Sequence, residues 1–304
     1  EVFKRTRKYE PIILGAVDGK QDDILSLILS VRIKVIGGIP ERFASRSVIF
    51  GGILCDDSEK GIKSLTELFK SYDRSFGDMA LFTEIRNMTP TNNIKEHLEA
   101  SGWKFEQYLN YLIDLRKSPD LIFQSFSKSL RRNIRKAQKN DIIVEQIQDK
   151  RKLSIFYEML RQTYSRTKVP LADTTLFESA FDSLDSREMV KFFLARLGND
   201  YIAGRAVLSY KGVLHDWYAC ASNQYLKFYP NEMLVWEILN WAIKRGLHTF
   251  DFGGAGRPNE GYGVRDFKAR FNGKQVDYGR YTKVYHPILL NLARIGYQIY
   301  RKAT

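Results

Sequence analysis

The chain has 304 residues, 44% of them aliphatic or aromatic, with 48 Lys+Arg against 35 Asp+Glu for a formal net charge of +13. That apolar content excludes a disordered chain, and two cysteines, Cys55 and Cys220, exclude a disulfide scaffold and fit a reducing compartment. No apolar run approaches the ~18 residues of a membrane span, so the excess of cations predicts an anionic partner rather than a membrane-embedded protein.

In chain order, strands are predicted over 12–17 and 24–31 around the turn Asp18-Gly19-Lys20, then over 47–53, leading through Asp56 into a helix near 59–72. A strand over 80–86, a helix near 92–101 and an extended segment over 104–115 follow. Phe123, Phe126, Leu130, Ile134 and Ala137 recur at spacings of three and four and predict a helix there. A strand over 142–147 and helices near 150–167 and 174–184 come next. Strands over 191–197 and 201–210 flank Gly198-Asn199-Asp200, followed by a strand over 213–221 and a helix near 231–245. The rest reads as a strand over 248–253, a helix near 262–271, an extended segment over 274–286 and an amphipathic stretch over 288–302. Strand, strand, strand, helix, strand, helix and extended segment therefore occur twice in one order, which predicts two copies of one α/β unit. Chance recurrence of short α/β patterns is the competing explanation. The chain begins at Glu1 without a charged-then-apolar leader, so its natural start is expected to be missing.

The charge is concentrated. Residues 121–140 carry Lys128, Arg131, Arg132, Arg135, Lys136 and Lys139 and no acid; residues 262–285 carry six cations against Asp266 and Asp277. These stretches hold +10 of the +13. Lys128, Arg132, Arg135 and Lys139 lie on one helix face. A solvated face would usually mix signs, so the pattern favours phosphate binding.

Three motifs carry a resemblance. Leu130-Arg131-Arg132-Asn133-Ile134-Arg135-Lys136-Ala137 resembles the basic helix of the FemABX family, and Tyr229-Pro230-Asn231-Glu232-Met233-Leu234-Val235-Trp236-Glu237 resembles its segment entering the central helix. Phe250-Asp251-Phe252-Gly253-Gly254, followed by Gly261-Tyr262-Gly263-Val264-Arg265-Asp266-Phe267-Lys268, resembles its glycine-rich turn and Phe-Lys signature. Phe50-Gly51-Gly52-Ile53 and Glu84-Ile85-Arg86 also match in place. The second half additionally has the element order of the GCN5-related N-acetyltransferase (GNAT) fold.

The resemblance implies an α/β (α+β) chain of two tandem acetyltransferase-like domains with mixed, mainly antiparallel sheets and a cleft between them. The first is expected over 1–140, ending in the basic helix, with the helix over 287–304 packing back onto it, and the second over 141–286. It implies an acyltransferase of the compact, armless kind, moving an amino acid from aminoacyl-tRNA to an amine of a cell-wall or cell-surface precursor. The alternatives are an N-acyltransferase using a thioester donor and a non-catalytic RNA- or membrane-surface-binding module.

Amine attack on an ester or thioester needs a stabilised oxyanion and a proton acceptor. Lys268 is the candidate cation and Asp251 the candidate acceptor; a surface lysine and a turn-capping aspartate are the plainer readings. The resemblance places Arg86, Arg131, Arg132, Arg135, Gly51, Gly52, Asn231, Gly254, Tyr262, Phe267, Arg270 and Lys274 in substrate binding. Arg257 and Tyr262 lie in a loop that either closes over substrate or is plain surface. His215 and Asp216 are adjacent on a strand, point to opposite faces and make no dyad with each other. No Cys/His set has metal spacing, and no resident cofactor is expected. A coenzyme A enzyme needs a glycine-rich turn before the central helix. Lys227-Phe228-Tyr229-Pro230-Asn231-Glu232 has no glycine and a proline without an amide hydrogen, which moves weight to aminoacyl-tRNA as donor over acyl-CoA. Expected partners are tRNA or a phosphate-bearing precursor, with peripheral membrane contact through a lipid-linked substrate. The expected state is a monomer in the cytoplasm, at or near the inner membrane surface.

Overall fold

The computed structural model describes residues 1–19, 23–34 and 45–303, so Lys20 of the expected turn lies outside the described residues. The elements in order are α1 (Val2–Arg5), β1 (Tyr9–Val17), β2 (Ile24–Lys34), β3 (Ser45–Gly51), β4 (Leu54–Cys55), α2 (Glu59–Phe76), β5 (Phe82–Asn87), α3 (Lys95–Ala100), β6 (Lys104–Glu106) and β7 (Leu109–Asp114). They continue with α4 (Pro119–Ser125), α5 (Lys128–Lys139), β8 (Ile143–Gln146), α6 (Leu153–Thr167), α7 (Thr174–Leu184), β9 (Val190–Leu197), β10 (Asp200–Tyr210) and β11 (Val213–Ala221). The last are α8 (Pro230–Lys244), β12 (Thr249–Gly254), α9 (Gly263–Ala269), β13 (Lys274–Asp277), β14 (Arg280–Val284) and α10 (Pro287–Ala303). The order β-β-β-α-β-α-β recurs, in β1 to β6 with the short β4 added and in β9 to β13.

Contacts divide the chain into one unit of 3–108 plus 277–304 and another of 109–276, which also takes residues 1–2. This differs from the expected boundary at 140. The segment over 104–115 splits into β6 and β7, and that over 274–286 into β13 and β14. β7, which follows the first copy, joins the second sheet, and β14, which follows the second copy, joins the first. The first sheet runs β1-β2-β3-β5-β14-β6, with β4 beside β2, and the second runs β13-β7-β12-β11-β10-β9-β8. The basic helix α5 belongs to the second unit because Leu130, Ile134 and Ala137 are buried in the same core as Leu234, Val235 and Ile238 of α8.

In the first unit, Ser58 caps α2 by accepting from the Gly61 amide at 3.1 Å. Leu65, Leu68, Phe69 and Tyr72 then bury one stripe of α2 against Ile28, Ile49 and Ile85 of the sheet. α10 belongs to this unit, yet Ile288, Leu292 and Ile295 on it are exposed. The side chain of Ile299, the next residue of its stripe, lies outside the described residues.

Each sheet holds a parallel pair among antiparallel ones, β3 with β5 and β11 with β12, joined through α2 and α8. The two pairs differ in length. β3 and β5 are in register over five residue pairs, from Ser47↔Thr83 to Gly51↔Asn87. β11 and β12 pair over only three, ending at His215↔Asp251. Beyond that point β11 continues along β10 with a bulge at Trp217, and β12 continues along β7. The second sheet therefore opens just past His215 and Asp251.

Candidate acyl-transfer site

At the opening between β11 and β12, Asp251 is 4% exposed. Its Oδ1 accepts from Asn110 Nδ2 and from the Gly253 amide, both at 2.7 Å. His215 Nδ1 stands 3.5 Å from the same oxygen, within ion-pair range but not aligned as a hydrogen bond, and this buried nitrogen has no other partner among the described residues. Burial alone would raise the Asp251 carboxyl. The His215 side chain, Asn110 and the Gly253 amide outweigh it and hold the carboxyl below the ordinary carboxylate range. Gly253 is at φ +68, and a Cβ there would lie 3.2 Å from the Asp216 carbonyl oxygen, so glycine serves both the turn and the close approach.

Lys268, on α9, is 8% exposed. Its Nζ donates to the carbonyls of Phe252 at 2.6 Å, Gly254 at 2.9 Å and Gly253 at 3.5 Å. An ammonium has three N–H bonds, and all three are used on the end of β12. Burial pushes its pKa down to about 8, with Asp216 and Asp251 opposing and Arg205 reinforcing the fall. Asp216 is itself paired with Arg205, and both side chains are almost fully buried. The lysine, expected as a cation aimed at an oxyanion, ties the glycine-rich turn to α9.

The entry to α8 is equally specific. Tyr229 sits at φ +61 and Pro230 occupies the first turn. Glu232, buried in the first helical turn, accepts from Arg270 at 3.1 Å and from Asn133 at 3.3 Å. A carboxylate thus complements the positive end of the helix dipole, where a coenzyme A enzyme would need room for pyrophosphate.

The remaining expected residues divide between the units. In the second, Asn231 is half-buried, Gly254 and Lys274 are exposed, Phe267 lies under the Arg270 guanidinium at 5.2 Å, and Tyr262 is 39% exposed. The loop before α9 is tied down, because Arg265 donates to the carbonyls of Arg257 and Glu260, and Arg257 pairs with Glu260 at 2.9 Å. On α5, Lys128, Arg132, Arg135, Lys136 and Lys139 are exposed and Arg131 is half-buried. None of the six forms an ion pair among the described residues. Arg135 lies over the Phe123 ring at 5.5 Å and Lys136 over Tyr229 at 5.9 Å.

In the first unit, Gly51 and Gly52 have positive φ at the end of β3, and Arg86 pairs with Glu84 at 2.5 Å. Glu84 also accepts from Arg280 at 3.3 Å, and Arg280 stacks over Tyr108 at 3.4 Å. Burial would raise Glu84, but Arg86 and Arg280 hold it low. Each parallel pair thus carries one carboxylate on its second strand, half-buried at Glu84 and buried at Asp251. Glu84 is neutralised by guanidinium groups beside strands that stay paired; Asp251 faces an imidazole where the strands part. His215, Asn110, Arg205 and Glu232 had drawn no role from sequence, because their partners lie at distant positions that strand register or helix packing brings together.

Among the described residues no helix is long and apolar enough to cross a membrane, and no three His, Cys, Asp or Glu side chains converge as a metal site. Residues 124–268 match the acetyltransferase (GNAT) domain family. A lipid II:glycine glycyltransferase of Staphylococcus haemolyticus is 29% identical over 125 residues, which cover 40% of this chain and 29% of that relative. The crystal structure of FemX superposes with a TM-score of 0.69 and 17% identity, covering 93% of this chain and 90% of that one. A tandem GNAT protein from the clavulanic acid biosynthesis pathway does so at 0.58 and 7% identity, covering 92% and 84%. The chain thus has the tandem acetyltransferase-like fold of FemX, and its residues 124–268 match the GNAT domain family.

Proposed function

We propose that this protein is an aminoacyltransferase that moves an amino acid from the ester of an aminoacyl-tRNA to an amine of a peptidoglycan precursor, at the opening between β11 and β12. The observation that carries the donor assignment is Glu232. A buried carboxylate already occupies the positive end of α8 where pyrophosphate would sit, whereas α5 offers six cations without acid partners among the described residues to a polyanion outside the core. The acceptor follows from the match to the lipid II:glycine glycyltransferase.

In this reading Lys268 fixes the Phe252–Gly254 backbone, so that the turn keeps its shape as charge develops on the attacked carbonyl. Arg131, Arg132 and Arg135 bind phosphates of the donor. Asn231, Gly254, Tyr262, Phe267, Arg270 and Lys274 line the path to the site, and Arg86, Gly51 and Gly52 are substrate-binding residues of the first unit. A second reading, transfer from a coenzyme A thioester, is favoured by the GNAT match alone.

The deciding experiment supplies labelled amino acids on charged tRNA with lipid II as acceptor. Transfer that ribonuclease abolishes supports the proposal. Transfer from an acyl-CoA that resists ribonuclease establishes the second reading instead, and tRNA binding with no transfer to any amine marks a non-catalytic binding module.

A further inference from the structure

We propose that His215 accepts the proton of the attacking amine and that Asp251 is its positioning residue. The inference rests on the acyl-transfer reading above. The parallel register sets His215 directly beside Asp251 in the last pair before the strands separate. Nδ1 is buried and faces the carboxylate at 3.5 Å, while the side chain as a whole is 20% exposed. One edge of the ring therefore looks inward to an anion, and the rest reaches the opening. A Cβ at Gly253 would stand 3.7 Å from Nε2, so glycine leaves that edge without a side chain against it from β12.

Asp251 itself is a poor acceptor. It is almost wholly buried, and one oxygen already receives two short hydrogen bonds from Asn110 and Gly253. Those donors anchor the carboxylate, which in turn favours the imidazole tautomer with hydrogen on Nδ1 and leaves the Nε2 lone pair available, the arrangement that other acyl-transfer enzymes use to orient a histidine. The other charged groups in this part of the site are Lys268 on α9, Arg205 on β10 and Asp216 on β11, the last two paired with each other.

The step balances as follows. The amine nitrogen forms a bond to the ester carbonyl carbon and its proton passes to Nε2. The tetrahedral intermediate then breaks its C–O bond, and the proton passes from Nε2 to the departing alkoxide. Ester and amine become amide and alcohol.

The test measures single-turnover transfer from charged tRNA to detergent-solubilised lipid II across pH, with lipid II affinity measured in parallel. His215→Gln is expected to lower transfer by roughly 10²–10⁴-fold, to lose the acid limb of the rate profile and to keep wild-type affinity for lipid II. Added imidazole is expected to restore part of the rate of His215→Ala, and Asp251→Asn to lower the rate with the histidine still present. Nitrogen NMR of the protein alone reads the tautomer: hydrogen on Nδ1 in the wild type, and a mixture in Asp251→Asn. Wild-type rate and profile in His215→Gln overturn the inference and leave the function standing. Hydrogen on Nε2 in the wild type overturns it whatever the transfer assay gives. Absence of transfer by the wild type from every charged tRNA overturns the functional reading instead.

Discussion

Replacing Lys268 by methionine tests whether its ammonium is held out of water. The lysine donates to three carbonyls at the end of β12, and burial lowers its pKa from 10.5 to about 8. A fall of that size corresponds to about 3.4 kcal/mol against the charged form in the folded protein, at 1.36 kcal/mol per pH unit. Methionine removes this cost but leaves the carbonyls of Phe252 and Gly254 without donors, at about 1–3 kcal/mol each. The two effects nearly cancel near neutral pH, so the variant should fold with a stability within about 3 kcal/mol of wild type. The pH dependence is the sharper consequence. Between about 8 and 10.5 the unfolded chain holds a proton that the folded protein has released, so wild-type stability rises with pH across that window relative to the variant. Urea unfolding of both proteins at pH ~7.5 and ~10 should show the wild-type advantage growing by about 2–2.5 kcal/mol. A difference that stays flat refutes the desolvated ammonium and, with it, the tight tie between α9 and the turn.

Gly253→Ala should lower stability by about 1–3 kcal/mol in thermal unfolding, through its φ of +68 and the crowding against the Asp216 carbonyl, and should impair transfer more than binding. Arg270→Ala leaves Glu232 with Asn133 alone and should cost about 1–3 kcal/mol in urea unfolding, with Arg270→Lys recovering part of it. Changing Lys128, Arg132, Arg135 and Lys139 together to alanine should leave the unfolding midpoint nearly unmoved, since none is ion-paired among the described residues. The salt slope of tRNA binding should fall by about one for each phosphate that the helix no longer neutralises.

The succession of strands and helices could be read from the chain because each element carries its own periodicity. The stripe of Leu130, Ile134 and Ala137 marks α5 as surely as alternating burial marks β1. Sequence also pointed to Lys268 and Asp251, through the glycines between them. The strand exchange left no such trace: residues 104–115 and 274–286 each look like one extended segment, and the break between two sheets falls within a few residues. His215 escaped for a related reason. Its neighbour in sequence, Asp216, points away to Arg205, while its neighbour in space lies on the next parallel strand and is set by register alone. The carboxylate at the start of α8 stands in the written sequence, but its burial and its partner Arg270 do not.

The exchange of β7 and β14 also bears on how the chain reaches its native state during synthesis. Arg280 pairs with Arg86, and Asn87 donates to the Tyr278 carbonyl across 191 residues. The first sheet therefore lacks its penultimate strand until almost the whole polypeptide has left the ribosome, although β1, β2, β3 and β5 emerge early. Closing so long a loop is entropically expensive and places the assembly among slow, non-local folders. In the interval β5 presents an unsatisfied edge, the kind of surface that invites pairing with another nascent chain. The first sheet is not encoded by one continuous stretch, so a nonsense mutation anywhere before β14 removes an inner strand from the N-terminal sheet as well as the distal part of the protein.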